Sequence, residues 1–121
     1  MALTREFKET VAARVGRDPA FRAALLREGV ETLLAGDVAT GKAVLRDYIN
    51  ATVGFEALAA ATGIATKSLM RMFGPNGNPQ ARNLFAALSV LQRHANLRIK
   101  VDTVRRGRSE RGTGRPGARA V

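Results

Sequence analysis

The tightest constraint on this chain is the spacing of small and apolar residues between Phe55 and Phe73. Counted from Phe55, Leu58 is fourth, Ala59 fifth, Gly63 ninth, Ile64 tenth, Leu69 fifteenth and Met72 eighteenth. A short helix, a break at the glycine and a second short helix satisfy all six positions together. Gly63 tolerates the geometry of a tight turn. Ala59 allows the second helix to approach the first closely, while Leu58, Ile64, Leu69 and Met72 form a small shared core. The spacing predicts helices over 55–62 and about 66–73.

With Leu69 and Met72 turned inward, Thr66, Lys67, Ser68 and Arg71 are left at the start or on the outer face of the second helix. Lys67 and Arg71 are four apart and share a side. Arginine offers a bidentate contact to guanine, and Ser68 or Thr66 can meet a base edge or a phosphate. Lys67 suits either job. The expectation is a helix-turn-helix whose second helix enters the major groove of duplex DNA. Ala65 stands where a capping Ser or Thr usually opens such a helix, so a cap at Thr66 would shift the register by one residue. The loop 74–79 follows, and its Asn76 and Asn78 are candidate contacts to the DNA backbone, together with the helix start after Pro79. Asn-Gly and Asn-Pro are equally good turn formers in their own right.

Charge points the same way. The net charge is +10 in 121 residues, which favours polyanions. Eight of the ten acids lie in the first 56 residues. Between Ala57 and Val101 there is no acid, whereas Lys67, Arg71, Arg82, Arg93, Arg98 and Lys100 are all present. The other reading is that arginine is merely a solubilising choice in an alanine- and arginine-rich proteome.

Along the rest of the chain, helical periodicity dominates. Leu3, Phe7, Val11 and Val15 repeat every four residues, with Gly16 expected to loosen the chain. Asp18-Pro19 reads as a cap followed by proline at the first helical position. Phe21, Leu25, Leu26, Val30, Leu33 and Leu34 then form an apolar face ending near Gly36. Asp37 caps a further helix with Val44, Leu45, Tyr48 and Ile49 on its apolar side, closed by Gly54. Gln80 to about Arg93 is predicted helical with Leu84, Phe85, Leu88 and Leu91 inward. Leu97, Ile99 and Val101 alternate with polar residues, the one strand-like pattern. From Arg105 onward there are six Arg, one Glu, four Gly and one Pro, too little apolar surface for a core.

The fold class predicted is therefore all-α: a bundle of about six short helices containing the helix-turn-helix, a short C-terminal strand and a disordered basic tail. The divisions are 1–52, an N-terminal helical segment; 53–95, the DNA-binding core; 96–104, the strand; and 105–121, the tail. No apolar run reaches the length of a membrane span, and the N-terminus lacks the basic-then-apolar order of a secretory signal, so the cytoplasm is the expected compartment.

Enzymatic chemistry finds little support. Cysteine is absent and His94 is the single histidine, near a helix end where a cation is favoured. No paired carboxylates or phosphate-binding glycine loop accompany it, so neither catalysis nor a metal or cofactor is expected. Two other readings fit the residues. One is a protein-binding module, an antitoxin or adaptor whose helices 3–51 clasp a protein while the hairpin is vestigial, with 97–101 as a strand that could add to a partner's sheet edge. The other is non-specific nucleic-acid binding led by the arginine-rich tail.

The run Gly54-Phe55-Glu56-Ala57-Leu58-Ala59-Ala60-Ala61-Thr62-Gly63-Ile64, then Lys67-Ser68-Leu69-Met70-Arg71-Met72-Phe73 and Gly77-Asn78-Pro79, resembles the phage-repressor-like helix-turn-helix family. More narrowly it is similar to the addiction-module antidote branch, the antitoxins of type II toxin–antitoxin pairs. Upstream, Leu33-Leu34-Ala35-Gly36-Asp37 and Ala43-Val44-Leu45-Arg46-Asp47 are similar to that branch's lead-in. The resemblance spans about 20–95. It implies a homodimer on a palindromic operator, a transcriptional repressor, a small ribonuclease-type toxin as partner, and groove-facing Thr66, Lys67, Ser68 and Arg71.

Overall fold

Two aspartates start two of the helices in the computed structural model, which describes residues 5–107, with side chains from residue 11 onward. Asp18 accepts the Phe21 amide at 3.1 Å and opens α2 (Pro19–Leu34), with Pro19 at its first position. That amide, with Arg14 alongside, holds the Asp18 carboxyl below the usual carboxylate range. Asp37 accepts the Thr40 amide at 3.2 Å and opens α3 (Val38–Ala51). Before them stands α1 (Arg5–Arg17); after them come α4 (Phe55–Thr62), α5 (Thr66–Met72) and α6 (Ala81–His94). The helix α1 runs through Gly16 without the expected loosening, because nothing ends it before the Asp18 cap of α2. Leu3 and the 108–121 part of the basic tail lie outside the described residues.

α2 and α3 pack against each other through two glycines. A Cβ on Gly29 would fall 2.7 Å from Leu45 Cδ2, and one on Gly41 would fall 2.7 Å from Leu33 Cδ2. The core continues from this hairpin through Leu26, Leu45, Tyr48 and Ile49 to Phe55, Leu58, Leu69, Met72 and Phe73. Ala87, Leu88, Val90 and Leu91 of α6 close it. The Tyr48 hydroxyl is buried with no hydrogen-bond partner among the described residues, and burial raises its pKa against the opposing charge of Arg22.

Three sequence expectations change here. The 96–104 segment is not a strand: among the described residues every regular element is a helix, so no ladder partner exists for it. Asn96 takes a positive φ of 58°, the Leu97 amide bonds back to Gln92 O at 2.8 Å, and the Ile99 amide bonds to Gln92 Oε1 at 2.7 Å. The extended segment shares a groove with Ala20, Ala23, Ala24 and Arg27 of α2. Phe85, expected inward, is 64% exposed, since α6 centres its buried stripe on Ala87, Leu88 and Leu91. Leu34 is likewise 70% exposed at the last turn of α2, beyond the reach of the core. These two side chains and Val38 flank a shallow apolar cleft. No helix among the described residues is long and apolar enough to cross a membrane.

Candidate nucleic-acid interface

The corner between α4 and α5 is built from local hydrogen bonds around one glycine. Gly63 sits in the left-handed region at φ 77°, ψ 11°, and its amide bonds to Ala59 O at 2.9 Å. Thr62 donates its hydroxyl to Leu58 O at 2.8 Å, and Thr62 Oγ1 in turn accepts the Ile64 amide at 3.2 Å. A β-carbon at Gly63 would meet no neighbour, so its left-handed backbone, and not crowding, is what calls for glycine. Leu58 and Leu69 are fully buried and Met72 nearly so, while Ala59 and Ile64 pack partly buried at the edge of the same core.

Register on α5 follows from its first turn. Ala65 is the N-cap, its carbonyl accepting the Leu69 amide at 3.0 Å, and Thr66 is the first helical residue. The cap at Thr66 contemplated from sequence is thus ruled out: Thr66 already has helical backbone. Ala65 has no side-chain oxygen and makes no capping bond. Its extended backbone (φ −59°, ψ 143°) is one a serine adopts without strain. Ala65→Ser is therefore expected to stabilise the fold by about 0.5–1 kcal/mol, read as a raised denaturation midpoint at unchanged slope.

Of the candidate reading residues, Lys67, Ser68 and Arg71 are exposed and Thr66 is half-buried. With Leu69 and Met72 inward, Lys67 and Arg71 share the outer side, and neither pairs with an acid among the described residues. Met70, which its neighbours Leu69 and Phe73 would make a packing or interface side chain, lies to one side of this pair and is 53% exposed. Its position one residue after an inward leucine was the available signal. Asn76 and Asn78 are both exposed. Asn78 lines the apolar cleft with Pro79, Ala81 and Phe85. His94 ends α6, exposed.

Two cations that sequence reasoning passed over hold the loop behind α5. Lys42 Nζ donates to Gly77 O at 2.7 Å, and Arg46 Nη1 donates to Phe73 O at 2.9 Å. The loop itself is folded onto Arg71: the Gly74 amide bonds to Arg71 O at 3.1 Å, and the Gly77 amide bonds to Gly74 O at 3.2 Å. A Cβ on Gly77 would collide with the Arg71 carbonyl oxygen. Lys42 and Arg46 are one helical turn apart on α3, on the side that also carries the buried Leu45 and Ile49.

No family model matches this chain, and no curated protein or solved structure matches it either. That finding corrects the specific identity drawn from resemblance. The labels of helix-turn-helix repressor and of toxin–antitoxin antitoxin are withdrawn: no match supports them. What stands is an all-α bundle of six short helices among the described residues, with a two-helix corner at 55–72.

Proposed function

We propose that the outer face of α5 binds double-stranded DNA. The observation that carries this reading is the exposure of Lys67, Ser68 and Arg71 on a helix whose other side is sealed into the core, within a stretch free of acids from Ala57 to Val101. A helix held from behind by Leu69 and Met72 can present its outer side to a groove without unfolding anything. Arg71 carries the bidentate fork that matches a guanine edge, and Lys67 supplies charge for phosphate or base. Met70, beside them, offers an apolar contact to a thymine methyl. Thr66 and Ser68 flank this set as hydroxyl donors.

The test is a sequencing-based selection of bound duplexes, followed by titration of the preferred sequence against an unrelated one. Arg71→Ala is expected to weaken the preferred site by about 1–3 kcal/mol and to flatten the preference. Equal affinity for all duplexes, before and after the substitution, would sink the proposal.

A further inference from the structure

Lys42 is 5% exposed, and among the described residues it pairs with no acid. A buried ammonium is costly, and an unbranched apolar side chain of similar length would fill the same space at lower cost. Filling the core therefore does not account for a lysine here. What the ammonium does is grip Gly77 O, while Arg46, one turn further along α3, grips Phe73 O. The two acceptors bracket the segment 73–77. That segment is folded onto the carbonyl of Arg71, which receives the Gly74 amide and abuts Gly77 too closely to admit a β-carbon. The backbone of an outward-facing arginine is thereby tied, through one short loop, to two cations on a different helix.

We propose that Lys42 and Arg46 are positioning residues: a polar latch that fixes the segment 73–77 and, through it, the setting of the α5 outer face. The apolar contacts of Leu69 and Met72 hold α5 against the core, but such contacts are non-directional and tolerate small rotations. Hydrogen bonds to two carbonyls past its C-terminus set its pose by direction as well as distance. The arm of this inference that concerns DNA rests on the function proposed above; the arm that concerns the loop does not.

The full chain carrying Lys42→Met, Arg46→Met or Lys67→Met separates these arms, by amide hydrogen exchange and by duplex titration over a range of salt. With Lys42→Met or Arg46→Met, the amides of Gly74 and Gly77 are expected to exchange about tenfold faster while those of α2 and α6 keep their rates, a local opening. Duplex affinity is expected to fall about tenfold with the salt slope unchanged, because neither residue neutralises a phosphate. Lys67→Met is expected to do the reverse, lowering the slope by about 0.9 and leaving the loop amides alone. Unchanged exchange at Gly74 and Gly77 overturns the latch. A uniform rise through α2 and α6 also overturns it, since that marks a merely stabilising role. Should Lys42→Met fail to fold, Arg46→Met decides, because its side chain is only partly buried. A wild-type chain without duplex affinity removes the DNA reading, and the exchange result then decides the latch by itself.

Discussion

Phe73→Ala is expected to cost about 3–5 kcal/mol of folding stability, the largest loss of any single truncation in the corner. Phe73 is fully buried and closes α5, with its ring centroid 6.2 Å from that of Phe55 in a tilted pair. Truncation removes the ring's transfer energy, opens a cavity, and forfeits the aromatic pair, worth about 0.5–1.5 kcal/mol beyond its area. The neighbours cannot collapse into the gap easily, because Phe55 begins α4 and Leu69 sits one turn before Phe73 in α5. Urea unfolding followed by circular dichroism measures the loss. For a chain of this size a deficit of that order is a large part of total stability, so the variant should be partly unfolded at 37 °C, about body temperature. Phe73→Leu, which keeps most of the volume, should lose less than half as much. Equal losses for the two would mean that ring packing is not what holds the end of α5.

Gly77→Ala should cost about 3 kcal/mol, although it adds a single methyl group to a partly exposed loop. The added carbon would land on the Arg71 carbonyl oxygen and close to Met72 O, and backbone cannot step aside as a side-chain tip can. Relief requires the loop to move off α5, which breaks the bond from Lys42 to Gly77 O and the Gly77 amide bond to Gly74 O. The measurement is again chemical unfolding, with Gly36→Ala as a control of a different kind. Gly36 has a φ of 95° and open space around it, so its substitution is penalised by backbone strain without collision, a cost of about 1 kcal/mol. If Gly77→Ala proves milder than Gly36→Ala, the collision is being absorbed and the loop is looser than its hydrogen bonds imply.

What the sequence discloses about this fold is set by the range of the interactions. Asp18 and Asp37 were legible as helix starts because a cap acts on an amide three residues on. Gly63 was legible for the same reason, since a left-handed residue at a helix end answers to carbonyls of the preceding turn. Leu58, Leu69 and Met72 could be placed inward because their spacing from the Gly63 turn settles which side of each short helix faces the other. Periodicity does not say where the facing surface ends, and so Leu34 and Phe85 were expected in the core but stand at its edge. Alternation from Leu97 to Val101 promised a strand, yet a strand exists only by its partner, and the bonds of this segment return to Gln92. The grip of Lys42 and Arg46 had no local signature whatever: their acceptors lie 35 and 27 residues away, and both are backbone carbonyls that any residue carries.

The two glycine contacts between α2 and α3 are reciprocal. Helix α2 supplies a hollow at Gly29 and a plug at Leu33; α3 supplies a plug at Leu45 and a hollow at Gly41. A larger residue in either hollow falls within 2.8 Å of a leucine side chain that must shift, and a smaller plug leaves a void against a residue with no side chain to fill it. Neither member of a pair can therefore change alone without penalty, whereas both can change together at constant summed volume. Four positions in the hairpin thus behave as two heritable units, each free to drift only as a couple.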